Sequence, residues 1–269
     1  MDLKKFLELY PLCENERIDE VNDNVKLIQK TNGLTFGTDA LLLAGFMNGG
    51  IRRALEIGGG TGIISLLALT RGKIESVDCC EVQKDFADII QRNAILNGLE
   101  ERLTVQSTDV RELTTKKQYD AVFTNPPYMK NTSGKRNISE AKNVARHEVF
   151  GGIDDFCKAA ARLLKFGGRF YAVYRPDRLA DLIFAMKACG IEPKRLTFVH
   201  ADVYSEPSMV LTEGRMGGGV GAKLTRPLII YKDKEHRQES DDMEYIMENG
   251  SFPSDFSFAQ VRGARKDGK

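Results

Sequence analysis

The stretch Leu55-Glu56-Ile57-Gly58-Gly59-Gly60-Thr61-Gly62-Ile63 constrains this chain more than any other. An apolar strand runs into a glycine-rich turn, and the turn leads straight into the apolar segment Ile63-Ile64-Ser65-Leu66-Leu67-Ala68-Leu69. Strand, tight turn and helix start in so short a space make the first unit of an open α/β sheet. That turn is where such sheets hold nucleotide-like ligands. Its glycines permit left-handed or crowded backbone and a close approach to the ligand.

Spacing narrows the ligand. A dinucleotide site places its glycines as G-x-G-x-x-G, so that N–H groups at the helix start hold a pyrophosphate. Counted from Gly58 and Gly60, the third position falls on Ile63. A phosphate-binding loop is excluded as well, because no Lys-Ser or Lys-Thr pair follows the glycines. The glycines fall instead at Gly58, Gly60 and Gly62, with Glu56 two places before the first. An acid beside the turn suits a ligand carrying positive charge.

The second strand, residues 73–81, ends on Glu81, where a carboxylate can accept both hydroxyls of a ribose. Asp78 competes for that role, but the apolar Cys79-Cys80 step places Asp78 inside the strand and Glu81 at its tip. Residues 82–97 carry Phe86, Ala87, Ile89, Ile90, Ala94 and Leu96 at helical spacing and close on Asn97-Gly98. Leu103-Thr104-Val105-Gln106 reads as the third strand, and Asp109 just beyond it is placed to meet an adenine amino group. In a doubly wound sheet, Glu56, Glu81 and Asp109 then share one crevice at the strand ends.

The fourth strand, Tyr119-Asp120-Ala121-Val122-Phe123-Thr124, runs directly into Asn125-Pro126-Pro127-Tyr128. This tetrad matches the N-P-P-Y motif of methyltransferases that act on planar nitrogens: adenine N6, guanine N2 or a glutamine side-chain amide. An amine conjugated to a ring is a poor nucleophile because its lone pair is delocalised. If Asn125 Oδ1 and the Pro126 carbonyl each accept one N–H, the amine is drawn toward tetrahedral geometry and its lone pair is freed. The prolines stiffen the loop and remove competing donors, so the acceptors need little reorganisation. Tyr128 offers a face on which a base can stack, worth about 1–3 kcal/mol in such settings. Asn125, Pro126, Pro127 and Tyr128 are the candidate catalytic residues.

Elsewhere the chain reads more plainly. Residues 1–32 form an acid-leaning leader with a strand at 25–29, and Thr38 or Asp39 is expected to cap a helix over 40–46. Residues 129–145 turn polar, with Lys130, Lys135, Arg136, Lys142 and Arg146 against Glu140 and Glu148, as in a lid that touches phosphates. His147 could orient a target nucleotide. A helix is expected over 154–165, a strand over 169–174, a helix over 178–188 and strands over 191–199 and 210–213. Residues 214–221 read as a mildly basic glycine hairpin, 228–231 as a last strand, and 242–247 as a short helix before a basic tail with Arg262, Arg265, Lys266 and Lys269. The division follows as residues 1–50, a leader and helix packing on the catalytic domain; 51–232, the catalytic domain; and 233–269, a polar extension.

The E-x-G-x-G-x-G turn resembles the signature of class I methyltransferases that use S-adenosylmethionine, a cofactor without phosphate but with an ammonium and a sulfonium. Over roughly residues 15 to 232 the chain resembles the bacterial tRNA1(Val) adenine-37 N6-methyltransferase family. Phe36-Gly37-Thr38-Asp39-Ala40, Glu81-Val82-Gln83, Asn93 through Asn97-Gly98-Leu99, Ala145-Arg146-His147-Glu148 and Tyr174-Arg175-Pro176 carry that likeness. It implies a Rossmann-like three-layer α/β sandwich, with a mostly parallel seven-stranded sheet carrying an antiparallel strand. It further implies methyl transfer from S-adenosylmethionine to N6 of an adenine in tRNA. Carried onto this chain, cofactor contacts fall to Phe36, Thr38, Glu56, Gly58, Gly60, Gly62, Glu81, Asp109 and Asn125. Two departures stand out: the extra glycine of Gly59-Gly60, and Cys79-Cys80 in place of the usual Gly-Val before the ribose acid. A different planar nitrogen, or a non-catalytic RNA-binding role on the same frame, remains open at this point.

Composition sets the outer bounds. A chain of 269 residues with 42% apolar residues fills one substantial domain. Lys and Arg number 39 against 38 acids, so RNA binding would have to come from local patches. The five cysteines, Cys13, Cys79, Cys80, Cys157 and Cys189, lack metal-ligand spacing, and Cys79-Cys80 reads as buried filler. No metal, no obligate protein partner, no membrane association and a cytoplasmic location are expected.

Overall fold

The central strands carry near-continuous apolar runs, such as Ala121-Val122-Phe123 and Phe170-Tyr171-Ala172-Val173, so both sheet faces need cover, and helices supply it. The computed structural model describes residues 3–32, 36–116, 118–126 and 151–256. The chain begins with α1 (Leu3–Leu9) and the antiparallel hairpin β1 (Glu16–Asn22) and β2 (Val25–Lys30). Then come α2 (Thr38–Phe46), β3 (Ile51–Ile57), α3 (Ile63–Thr70), β4 (Ile74–Glu81), α4 (Lys84–Leu96), β5 (Leu103–Ser107) and β6 (Tyr119–Thr124). After residue 150 follow α5 (Ile153–Leu163), β7 (Leu164–Tyr174), α6 (Leu179–Ala188), β8 (Ile191–His200) and β9 (Pro207–Met216). The short β10 (Lys223–Leu224), β11 (Leu228–Ile229) and α7 (Asp241–Asn249) close the described chain.

Seven long strands lie in the order β8-β9-β7-β6-β3-β4-β5, and only β9 runs against the rest. The two-residue strands β10 and β11 both pair with β8 in parallel, so among the described residues the sheet counts 9 strands rather than the seven expected. This is a mixed, largely parallel Rossmann-like sheet. Ala121, Phe123, Tyr171 and Val173 point into one core beneath α2, α3 and α4, while Val122, Phe170 and Ala172 point into the other beneath α5 and α6. Helix α3 is apolar all round and buried from Ile63 through Leu69. Such a helix is stable only with cover on every side; the sheet, α2 and β2 provide it.

Several boundaries differ from the sequence reading. Helix α2 starts from Gly37, with neither Thr38 nor Asp39 as its cap. Helix α5 stops at Leu163, and the next strand begins at once, carrying the extra residues 165–168 as a bulge against Asp120. Strand β9 extends through Gly214 to Met216, into the segment whose glycines suggest a hairpin.

The hairpin is fastened to α4 by side chains that imitate a neighbouring strand. Asn93 Oδ1 accepts from Ile28 N at 2.6 Å while its Nδ2 donates to the Ile28 carbonyl at 3.0 Å. Four residues on, Asn97 does the same for Lys26, at 2.9 and 2.7 Å, as the helical repeat allows. Arg92 spans Glu16 with both terminal nitrogens, at 2.8 and 2.6 Å. At the far end of α2, Lys73 Nζ donates to the carbonyls of Ala44, Gly45 and Met47 at 2.7–2.9 Å, satisfying acceptors that a helix terminus leaves open.

Candidate active site

Strand β3 ends in a turn whose backbone only glycine accepts readily. Gly58, Gly60 and Gly62 have φ of 71°, 56° and 79°, left-handed values that penalise a Cβ. Gly59 is held for a different reason: a Cβ there would lie 2.2 Å from Cys79 Sγ and 3.0 Å from Ile90 Cδ1. Gly58 N donates to the Cys80 carbonyl at 2.8 Å and Gly62 N to the Gly59 carbonyl at 2.8 Å, so the turn is tied to β4 and to itself.

The three acids occupy three kinds of environment. Glu81, the last residue of β4, accepts from Gly60 N at 3.0 Å and from Gln83 N at 2.9 Å, one bond per oxygen. A carboxylate has about four lone-pair sites, so each oxygen keeps capacity for a hydroxyl. Asp78 is spoken for by Thr104 Oγ1 at 2.6 Å and Tyr119 OH at 2.8 Å, which leaves the strand tip to Glu81. Asp109, two residues past β5, receives Arg111 N at 2.8 Å and the Arg111 guanidinium, which lowers its pKa. Glu56, on β3 just before the turn, is 1% exposed and accepts from Ser65 Oγ of α3. Burial pushes its carboxyl up to about 8, with the nearby Glu81 adding to the shift and the Ser65 bond opposing it.

Beside β3, at the same edge of the sheet, is the end of β6. Thr124 is the register partner of Ile57, and its Oγ1 donates to the Ile57 carbonyl at 2.9 Å. Asn125 therefore follows the last paired residue of β6 just as Gly58 follows that of β3, on the neighbouring strand. Its Nδ2 donates to Asp39 Oδ2 at 2.8 Å, whereas its Oδ1 is buried and has no hydrogen-bond partner among the described residues. Pro126 is buried next to it. An unpaired buried carbonyl oxygen costs about 1–3 kcal/mol, and an orphan of this kind calls for an explanation. It presents a ready acceptor for a donor entering the crevice.

Phe36 and Thr38 flank the start of α2, the segment that Asp39 brings against Asn125; Phe36 N donates to Gln29 Oε1 at 3.3 Å. Pro127, Tyr128, the basic stretch 129–145, Arg146 and His147 lie outside the described residues, as do 257–269. The link between Asp39 and Asn125 was not foreseen, although Asp39 sits in the Phe36-Gly37-Thr38-Asp39-Ala40 segment that carried the resemblance. Among the described residues, no group of three or more His, Cys, Asp or Glu could hold a metal, and no helix is long and apolar enough to cross a membrane.

The residues at this edge fit S-adenosylmethionine: a turn of left-handed glycines, acids suited to ribose hydroxyls and positive charge, and no phosphate cradle. Known structures agree on the fold. A predicted O-methyltransferase from Agrobacterium tumefaciens superposes with a TM-score of 0.65 at 20% identity, covering 80% of this chain and 98% of that one. A methyltransferase from Pyrococcus furiosus gives 0.55 at 19%, covering 73% and 91%. With the family match over residues 30–184, fold and site make the protein an S-adenosylmethionine-dependent methyltransferase of class I fold. The matching family is described as Methyltransferase small domain, and the chain belongs to that family. It is distantly related to proteins named tRNA1(Val) (adenine(37)-N6)-methyltransferase. That of Phocaeicola vulgatus is 31% identical over 178 residues, 65% of this chain and 74% of the relative. One from Porphyromonas gingivalis is 29% identical over 189 residues, 66% and 73%.

Proposed function

We propose that this chain methylates the exocyclic N6 of an adenine in RNA, with tRNA as the substrate and adenine 37 of tRNA1(Val) or a related site as the target. The observation that carries the reading is Asn125 Oδ1, buried, unpaired among the described residues and one strand from the glycine turn. Gly58, Gly60, Gly62, Glu81 and Asp109 would hold the cofactor, with Glu56 just before the turn and Phe36 and Thr38 beside them. S-adenosylmethionine, when bound, supplies an electrophilic methyl carbon on a sulfonium. The protein's part is to prepare the amine. Asn125 Oδ1 takes one N–H and the Pro126 carbonyl takes the other, which withdraws the nitrogen lone pair from the ring and fixes its direction. Once methylated, the nitrogen would be cationic and strongly acidic; it would pass one proton to solvent water while the carbonyl oxygens hold the amine in place, so no strongly basic side chain is needed. Acceptors already in place cost no rearrangement at the moment of reaction. Pro127 and Tyr128 complete the tetrad, with Tyr128 as the stacking face. The names of the relatives support RNA and adenine over other planar nitrogens.

The test is incubation of the protein with labelled cofactor and total tRNA from a strain lacking the enzyme, followed by mass spectrometry of the nucleosides. N6-methyladenosine is expected, and Asn125→Ala should abolish it while cofactor binding by calorimetry stays near wild type. Label on guanine N2 or on a protein glutamine, or full transfer by Asn125→Ala, would overturn the proposal.

A further inference from the structure

We infer that Asp39 is a positioning residue for Asn125: its carboxylate takes the Nδ2 hydrogen and so commits Oδ1, the other end of the amide, to the crevice. The inference rests on the acceptor role proposed above for Asn125 and adds the residue that sets its direction.

The two ends of an asparagine amide are nearly the same shape but opposite in function, one accepting and the other donating. Turned over, Asn125 would meet an incoming amine donor to donor. Pro126 does not prevent this, since a proline restrains backbone and not the neighbouring side-chain torsion. What prevents it is the 2.8 Å bond from Nδ2 to Asp39 Oδ2, made across 86 residues of sequence. An ionised carboxylate only accepts, so a reversed amide would set oxygen against oxygen. A charge-assisted bond is also stronger than a neutral one, and it polarises the amide toward a more negative Oδ1.

Asp39 is itself well anchored. Its Oδ1 accepts from Ala40 N at 3.0 Å in the first turn of α2, where the helix dipole favours negative charge. Helix α2 is in turn held at its other end by Lys73. Capping does not account for Asp39, because Gly37 fills that position and no side chain caps the helix. The buried orphan acceptor and the paired donor sit on one side chain, and Asp39 explains both.

Asp39→Asn removes the discrimination, since its amide can pair with either end of Asn125. Methyl transfer to RNA should fall about tenfold to a hundredfold in kcat, the scale on which misplaced reacting groups act, with cofactor affinity and melting temperature unchanged. Exchanging the pair, Asp39→Asn with Asn125→Asp, restores a donor facing an acceptor and leaves a carboxylate oxygen toward the crevice. At least tenfold of the lost rate should return. A second readout needs no turnover. In the wild type, one Asn125 side-chain amide proton should resonate downfield and exchange slowly in 15N spectra, and Asp39→Ala should remove both properties. Wild-type kcat in Asp39→Asn, a double variant no faster than the single, an Asn125 amide signal indifferent to Asp39, or a loss of melting temperature matching the loss of rate would each overturn the inference. Should the wild type transfer no methyl to tRNA, the functional reading fails by itself, and the amide signal still decides the role of Asp39.

Discussion

A Cβ on Gly59 would stand 2.2 Å from Cys79 Sγ, so the turn after β3 and the middle of β4 are matched to each other. In the sequence these were two separate departures from the family pattern, an extra glycine and a cysteine in place of glycine. In the fold they are one: the thiol fills the space that a side chain at position 59 would have used. Gly59→Ala should therefore destabilise the protein by about 1–3 kcal/mol, the usual cost of overpacking. Cys79→Gly should recover much of that loss when the two are combined, because the remaining obstacle is the movable tip of Ile90. Urea unfolding of the four proteins gives the coupling energy, expected to exceed about 1 kcal/mol. Simple additivity would show that the two positions do not compensate.

Glu56 predicts a stability that declines toward alkaline pH. The folded protein holds its proton up to about pH 8, against 4.5 for the ordinary carboxyl. The folded state thus binds more protons than the unfolded chain within that window. The contribution is whole below about 4.5, shrinks as pH climbs, and is gone once pH passes about 8. A shift of this size corresponds to about 3–5 kcal/mol. Glu56→Gln keeps an acceptor for Ser65 Oγ and cannot ionise, so its melting temperature should vary less over this range. Parallel curves for the two proteins would rule out a titrating Glu56.

The pair between Arg92 and Glu16 behaves in the opposite sense. Their side chains are 9% and 4% exposed, and the guanidinium bonds hold Glu16 below its usual carboxylate range. Its stabilisation is present above about pH 4.5 and is lost as pH falls through the lower folded value. Arg92→Met leaves a buried charge without its partner, at a cost of about 3–5 kcal/mol. Adding Glu16→Gln should recover part of this and remove the acid-side loss. Chemical denaturation at neutral and acid pH checks both statements.

The thiols should differ sharply in reactivity. Cys13 is exposed, whereas Cys79, Cys80 and Cys157 are buried. Burial raises all three thiols, Cys80 to about 12. The thiolate is the reactive form, so a disulfide reagent should label Cys13 rapidly in the native protein and the buried three only on unfolding. Fast native labelling of Cys79 would contradict the packing against Gly59.

What the sequence conveyed was local. The strand, glycines and apolar helix from Leu55 to Leu69 are contiguous, and so are Phe123, Thr124 and Asn125, so their order at the sheet edge could be read directly. The bond between Asp39 and Asn125 joins distant segments, and no pattern within either one announces it. The two-residue β10 is too short for any alternation to emerge, whereas β11 falls within the strand expected over 228–231. Helix α5 passes into β7 without a break because Leu163 and Leu164 are both apolar and neither marks a boundary. Asn93 and Asn97 look like the polar side of a helix until β2 lies against them.

Asn93 has a third partner: its Nδ2 also donates to the Thr61 carbonyl at 2.9 Å. One amide therefore grips the backbone of the amino-terminal hairpin and the backbone of the glycine turn together. The amide proton of Ile28, bound to that same side chain, becomes a remote gauge of the cofactor loop. Tightening the loop should slow its exchange with solvent, so occupancy can be followed from the far side of α4 without a probe in the crevice.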